Sequence, residues 1–257
     1  MSFSVISNGW LITFLLVVAR LAGLVISAPV LSSGFFPKML KPAMVFLFAG
    51  ALVATVPEVF VTGLALGLAV SFQLLVGVAI GLILSMFLGL FGMAGQLITY
   101  QMGVGLAVAA NPGLLSAGSF LSEWQTLIAT FVFVVGGGLE LTMTALHASF
   151  VALPLTHEML SAHALLFIVG IFQSALTMAL LVAAPLFLSS LVVDMGIGVV
   201  SRAFPQINAY FLSLPVNFGI SLVVMLGTLP FLMALIPNIW HTAFYDVSRW
   251  LAIVEGH

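Results

Sequence analysis

Side chains that could perform chemistry are few and scattered along this sequence. It contains no cysteine, and its five histidines form neither an HExxH arrangement nor another metal-ligand spacing: they are His147, His157, His163, His241 and His257. No GxSxG or phosphate-loop motif is present. The GxG triplets at 103–105 and 196–198 lie in apolar segments and do not indicate phosphate binding. The sequence therefore predicts no enzyme activity, no metal site and no cofactor.

Two charged residues interrupt long apolar runs. Arg20 lies inside the first run, and Glu140 follows three glycines inside the fourth. A charge at such a position costs roughly 2.5–3.5 kcal/mol on insertion scales. One interpretation is a proton or ion relay, and the other is a structural pair or a position near the membrane interface. We favour the structural interpretation, because transporters usually place several ionisable groups at the midplane.

Composition indicates that the elements carrying these residues lie in a membrane. Of 257 residues, 63% are hydrophobic and 5% are charged, whereas soluble domains carry about 25% charged residues. The formal charge of −2 offers no basic surface to nucleic acid. Residues 1–9 contain no Lys or Arg, and Arg20 breaks the first apolar run, so we expect a retained helix rather than a signal peptide.

The charge-free stretches indicate where the helices lie, because about 20 apolar residues cross the hydrocarbon core. We predict an all-α, polytopic integral membrane protein that forms a single membrane domain over residues 1–257. About six long apolar helices, arranged as hairpins, are expected near 10–31, 39–56, 60–92, 124–152, 164–193 and 211–236. Pro57, Pro154 and Pro237 are predicted to terminate three of these helices.

Two stretches differ from the helical runs. Residues 93–122 are uncharged and rich in Gly, Ser, Asn and Gln, and residues 194–215 contain two charges and two prolines. Irregular backbone at membrane depth must be covered by protein or line a water-filled cavity. We therefore expect functional segments here. Lys38 and Lys41 in the first loop predict a cytoplasmic position for that loop.

Small residues recur every four positions, which places them on one helical face. The third run carries Gly63, Gly67 and Ser71, then Gly77, Gly81, Ser85 and Gly89, and the fifth carries Ala175, Ala179 and Ala183. Such faces let another helix backbone approach closely. The neighbour is either another subunit or another helix of this chain, and the sequence leaves both open.

Four segments resemble one protein family, in order along nearly the whole chain. They are ARLAGLVISAPVLSSGFFP near the N-terminus, GQLITYQMGVGLAVAANP at 95–112, LHASFVALPL at 146–155, and SRAFPQINAYFLSLPVNFGISLVV at 201–224. The chain is similar to the FliR/SctT family of membrane proteins from flagellar and injectisome type III export. The R-x-x-P-Q-x-N run is the most specific of these signatures.

The resemblance implies a subunit of the export gate in the bacterial inner membrane, at the flagellar basal body. It implies FliP and FliQ homologues as partners in a multi-subunit core, with FlhB and FlhA, and unfolded flagellar proteins as cargo. Residues 1–160 would be FliP-like and residues 161–257 FliQ-like. A plug near residues 103–122 would close the channel, with contributions from Gln101, Gly103, Gly105, Leu106, Asn111 and Pro112.

The resemblance also implies contacts with neighbouring subunits. We expect these through Arg20, Gly63, Gly67, Gly77, Gly81 and Gly89, and through Arg202, Pro205, Gln206 and Asn208, which would cap the turn between the last two helices. Membrane lipid would cover part of the surface.

The sequence departs from the family pattern at four positions. Many members carry Phe where Leu106 and Ala109 stand, Asp at the position of Asn111, and a neutral polar residue at that of Glu140. The seal is therefore expected to be softer here, or completed by partners. The uncharged MGVGLA after Gln101 favours the flagellar branch over the injectisome branch, and a small-solute secondary transporter is the further alternative.

Overall fold

Helices form all of the regular structure in the part of the chain that the computed structural model describes, residues 8–29, 37, 39–61, 63–102, 115–155, 162–206 and 208–255. In chain order the α-helices are α1 (Asn8–Ser27), α2 (Leu40–Leu52), α3 (Leu64–Gln101), α4 (Leu115–Val135), α5 (Gly138–Ala152), α6 (Ala162–Ala203) and α7 (Ala209–Glu255). A single 3-10 turn, Val53–Thr55, follows α2. The predicted all-α class is confirmed.

Four of these helices, α1, α3, α6 and α7, are long and apolar enough to cross a bilayer. The pair α4 and α5 supplies a fifth span if the two are counted as one broken helix. Helix α2 has only 13 residues, and about 20 are needed for a span. The chain is thus a polytopic helical protein, but the predicted six long spans are not confirmed within the described ranges.

Two of the three predicted proline terminators coincide with helix ends. Val56 before Pro57 has φ −110° and ψ 137°, and Leu153 before Pro154 has φ −122° and ψ 89°. The residue before a proline is driven out of the helical region by the ring. Pro237 does not act in this way, because α7 continues through it to Glu255. That prediction was wrong, since neighbouring elements in membrane proteins can compensate the hydrogen bond that a helical proline removes.

The predicted fourth helix is two helices. Its continuous run over 124–152 breaks at Gly136 and Gly137, and Gly137 has φ +78°. Its carbonyl oxygen accepts a 3.0 Å hydrogen bond from the Leu141 backbone N–H and so begins α5. Only glycine adopts this left-handed conformation without a steric penalty. The apolar character of the run concealed the break.

The two stretches predicted to be irregular are mostly helical where they are described. Helix α3 extends to Gln101, α4 begins at Leu115, and residues 103–114 lie outside the described part. Within 194–215, the described residues that are not helical are Phe204, Pro205, Gln206 and Asn208. The glycines and prolines in these stretches suggested irregular backbone. Helices in apolar surroundings tolerate both residue types, so these residues do not exclude a helix.

The chain folds into two compact units. The first contains residues 1–86, 137–172 and 241–257, and its core is the contact between α1 and α3. Gly23 and Gly77 bring the two backbones together: a Cβ on Gly77 would collide with the Arg20 carbonyl oxygen, and one on Gly23 would lie 2.8 Å from the Val78 nitrogen. Dispersion between closely packed backbones holds this contact.

The second unit contains residues 87–136 and 173–240. The Ser122 hydroxyl donates a 2.9 Å hydrogen bond to the Gly92 carbonyl and joins α4 to the second half of α3. Phe133 packs on Trp240 with ring centroids 4.2 Å apart. The Asn217 amide donates a 2.9 Å hydrogen bond to the Asp194 carboxylate, which links α6 to α7.

Helix α7 returns antiparallel to α6. Besides the Asp194–Asn217 bond, the Trp250 indole N–H donates a 3.2 Å hydrogen bond to the Ala164 carbonyl near the opposite ends of the two helices. The guanidinium of Arg249 lies 5.1 Å from the centroid of the Phe167 ring. These contacts define a long helical hairpin, which we call the α6–α7 hairpin.

The break at Gly137 yields a first prediction. The variant Gly137→Ala should lower the thermal stability of the chain purified with whatever subunits remain bound, because a Cβ in the left-handed region costs roughly 1–2 kcal/mol. Gly196→Ala is the matched control, since Gly196 is helical with nothing within 4 Å of an added Cβ. Equal midpoints of thermal unfolding for the two variants would contradict the role given to Gly137.

Candidate functional site

The charge inside the first helix is completely enclosed by its own chain. Arg20 is 0% exposed. Its Nε donates a 2.7 Å hydrogen bond to Gln73 Oε1, Nη1 donates to the Ser149 carbonyl at 2.7 Å, and Nη2 donates to the Leu153 carbonyl at 2.8 Å. The guanidinium also lies 4.3 Å from the centroid of the Phe150 ring. All the residues of this cluster, on α1, α3 and α5, lie in the first unit.

The Arg20 guanidinium thus caps the C-terminal end of α5. The carbonyls of a helix's last turn have no partner within the helix, and a cation there is favoured by the helix dipole. Gln73 completes the cluster by donating a 3.2 Å hydrogen bond to the Leu155 carbonyl. The sequence placed Arg20 among the subunit-packing residues, whereas the structure encloses it in its own chain. Gln73 was missed, because a polar residue in an apolar run gives no indication of its partner.

Glu140 is separate from this cluster. It is exposed in the first turn of α5, where the helix dipole favours an acidic side chain. Thr144 and His147 are exposed on the same face, one and two turns further on. Helix α5 therefore buries Thr142, Leu146 and Ser149 and presents a polar face outward.

The predicted packing glycines divide into two groups. Gly77 and Gly81 face α1 of the same chain, and a Cβ on Gly81 would lie 2.7 Å from the Ala28 nitrogen. An added Cβ on Gly63, Gly67 or Gly89 would meet nothing within 4 Å. The first group is occupied by packing inside the chain, and the second is open to a neighbour.

The α6–α7 hairpin leaves many of its apolar side chains exposed. In the most apolar 18-residue stretch of α7 only 11% of the residues are buried within the chain, against 61% in α3. Large hydrophobic side chains are exposed along both helices, among them Leu166, Leu181, Leu188, Val192, Phe211, Val223 and Phe231. A continuous apolar surface of this kind requires lipid or another protein to cover it.

A polar contact interrupts this apolar face. Asp194 is exposed, and Asn217, which is 7% exposed, directs its amide nitrogen to it while its own Oδ1 has no hydrogen-bond partner. Asp194 is one of the two charges noted in residues 194–215, whereas Asn217 was missed by the sequence analysis. Both residues are equally far from the centre of the Pro205–Gln206 turn, and this symmetry of the hairpin could have identified the pair.

The remaining predicted site residues belong to the segment between α6 and α7 and to the predicted plug. Arg202 is in the last turn of α6, and Pro205, Gln206 and Asn208 follow it in an exposed turn. Asn208 precedes α7, and its carbonyl accepts a 3.3 Å hydrogen bond from the Leu212 N–H. Of the predicted plug, half-buried Gln101 ends α3. The other plug residues, Gly103, Gly105, Leu106, Asn111 and Pro112, lie outside the described residues.

These features define a class of protein. Among the described residues, no three His, Asp or Glu side chains converge on a metal-sized site. The described structure has three other features. They are the buried, hydrogen-bonded cluster around Arg20, the small-residue positions on α3 that have no neighbour, and the exposed apolar side chains of the α6–α7 hairpin. The chain is a polytopic helical membrane protein whose open surfaces are suited to contact with other chains.

Comparison with known proteins agrees with this class and makes it specific. Residues 11–243 match the family described as "Bacterial export proteins, family 1", and the chain belongs to this family. It is 27% identical to the flagellar biosynthetic protein FliR of Aquifex aeolicus, covering 91% of this chain and 92% of that protein. It is 24% identical to FliR of Escherichia coli, with 91% of each chain covered. It is also 27% identical to the Yop proteins translocation protein T of Yersinia pestis, covering 84% of this chain and 85% of that protein.

The Arg20 cluster generates a second prediction. The variant Arg20→Met should lower the free energy of unfolding in detergent by roughly 3 kcal/mol, because it leaves the Gln73 and Leu153 oxygens buried without the donors that Arg20 supplies. Arg202→Met is the matched control, since Arg202 is exposed. If both variants unfold at the same temperature as the unaltered chain, the Arg20 cluster does not stabilise the fold.

Proposed function

We propose that this chain is a subunit of the export gate of the flagellar type III secretion system and helps to form the channel through which unfolded flagellar proteins leave the cell. Membership of the bacterial export family and similarity to FliR proteins over about nine-tenths of the chain support this proposal. The chain acts by forming walls and contacts, and no enzymatic step is assigned to it.

The observation that carries the proposal is the mismatch between the α6–α7 hairpin and a bilayer. Helix α6 has 42 residues and α7 has 47, which correspond to about 63 Å and 70 Å of helix at 1.5 Å per residue. The hydrocarbon core is about 30 Å thick. Exposed large hydrophobic side chains of α6 run from Leu165 to Val200, about 53 Å of helix. Part of this apolar surface therefore lies beyond the hydrocarbon core, and sister subunits would cover it.

The partners follow from the family. We propose that FliP and FliQ homologues cover the open faces in a multi-subunit core at the inner membrane, with FlhB and FlhA associated. Residues 1–160 would take a FliP-like place and residues 161–257 a FliQ-like place. The α6–α7 hairpin, which falls in the second part, has the form expected of a two-helix subunit.

The injectisome is the second candidate setting. The similarity to the Yersinia translocation protein T supports it, since its identity to this chain equals that of the Aquifex FliR. The uncharged MGVGLA segment after Gln101 favours the flagellar branch. A small-solute transporter has less support, because the one charge enclosed at membrane depth, among the described residues, is bound by structural acceptors at Arg20.

The plug near residues 103–122 belongs to the same proposal. It rests on the sequence alone: a glycine-rich, uncharged segment, from Gly103 through Pro112, follows the last turn of α3. An apolar constriction blocks ions by dewetting the pore. Leu106 and Asn111, where relatives carry Phe and Asp, would make this seal softer.

The open small-residue positions give a third prediction. In the complex isolated from membranes, Gly67→Phe should reduce the amount of co-purifying smaller subunits about tenfold, because overpacking costs roughly 1–3 kcal/mol. Gly50→Phe on α2 is the size-matched control, since it also has nothing within 4 Å but lies outside the predicted packing set. A chain that purifies as a stable monomer without partners would refute the proposed assembly.

The proposed plug gives a fourth prediction. Deleting residues 105–118 in cells that produce the whole complex should raise membrane permeability to small ions, measured as growth inhibition by salt and as loss of membrane potential. Replacing the same residues with a Gly/Ser segment of equal length controls for the shortened chain and should leak less. Unchanged permeability in the deletion strain would remove the plug from the mechanism.

A further inference from the structure

We infer that the groove between α1 and α2 binds one anionic phospholipid of the surrounding bilayer, with its headgroup at Lys41 and one acyl chain along the groove. The groove has a volume of about 550 Å³, within the size range of small-molecule sites. Seven of its lining residues, Val18, Ala22, Val25, Ile26, Pro42, Val45 and Phe46, are apolar, and the eighth is Lys41. This inference does not depend on the export function.

The direction of the groove follows from the antiparallel course of its two helices. Phe46 of α2 packs on Phe14 of α1, with ring centroids 6.3 Å apart. Beyond α2, the Val59 N–H donates a 2.9 Å hydrogen bond to the Thr13 hydroxyl, so the chain continues toward the start of α1. Lys41 is five residues, about 7.5 Å, before Phe46. The first turn of α2 therefore lies beside the turns of α1 that follow Phe14, and Lys41 lines the groove together with Val18 and Ala22.

The groove holds one charge among apolar side chains, as binding of an anionic phospholipid requires. The lining on α1 runs from Val18 to Ile26, about 12 Å along the helix at 1.5 Å per residue. The half-buried Lys41 is the one charged residue of the lining. A phosphate there would also meet the start of α2, whose N-cap residue Met39 makes no side-chain capping bond and whose dipole favours an anion.

The membrane around the chain contains a matching ligand. The first loop, which adjoins Lys41, is predicted to be cytoplasmic, and the cytoplasmic leaflet carries the anionic lipids. Ile26 and Phe46 are 67% and 56% exposed at the rim, so an acyl chain can enter sideways from the bilayer. One cation near an anionic headgroup contributes about a fivefold preference over a zwitterionic one.

Native mass spectrometry tests this inference on the full-length chain with whatever subunits remain bound. The protein is exchanged into nanodiscs of equimolar phosphatidylglycerol and phosphatidylcholine, and the lipid retained per chain is counted. We expect about fivefold enrichment of phosphatidylglycerol. Lys41→Gln should abolish the enrichment, and Lys41→Arg should keep it. Arg249→Gln, which removes an exposed cation elsewhere, should leave it unchanged.

A second pair of variants tests the acyl site. Ala22→Phe fills the groove and should remove the retained lipid, whereas Ala43→Phe adds the same ring to an exposed, non-lining position of α2 and should not. Equal enrichment in Lys41→Gln and the unaltered chain overturns the headgroup contact. A photo-crosslinker at Ile26 that captures protein in native membranes, instead of lipid, overturns the inference as a whole.

Discussion

The fold depends on one constraint, that a polar group shielded from water must find its partner within protein. Arg20 shows how the chain meets it. The guanidinium donates to an amide oxygen and to two carbonyls of the α5 terminus, so the charge is dispersed over several dipoles of the protein. Because the three helices that supply these groups must meet at one point, the cluster fixes α1, α3 and α5 against one another inside the first unit. Closely packed glycines on α1 and α3 make that approach possible.

The same constraint explains why the chain is incomplete by itself. Its polar groups are largely satisfied, but the apolar face of the α6–α7 hairpin is bare over a length that exceeds a bilayer. The apolar side chains of this hairpin can therefore be buried only by lipid or by other proteins. The Asp194–Asn217 bond places a carboxylate on this face, which limits the coverings that suit it, since a charge in apolar surroundings needs a polar or cationic neighbour.

Two kinds of surface can be distinguished on this membrane protein. Open glycine positions and the long hairpin favour close helix packing with proteins of similar apolar character. The α1–α2 groove is short, is lined by apolar side chains and one cation, Lys41, and is exposed at its rim. These properties favour an anionic lipid, which combines a flexible acyl chain with a charged headgroup. The proposed sister subunits and the proposed lipid can therefore bind to the same chain. Subunits need long complementary helix faces, whereas a lipid needs only a short apolar groove with a cation.

The sequence by itself determined the all-helical membrane class, the family and most helix positions, because apolar run length and charge gaps follow directly from the bilayer's thickness. It could not determine where the fourth run breaks, since the φ of Gly137 depends on local geometry that hydropathy does not register. It also could not separate Gly77, packed on α1, from Gly67, which is open, because both have the same spacing. Only the tertiary structure decided which neighbour each position has, and it alone paired Arg20 with Gln73 and α5, because partners more than 50 residues apart are brought together by packing rather than by periodicity.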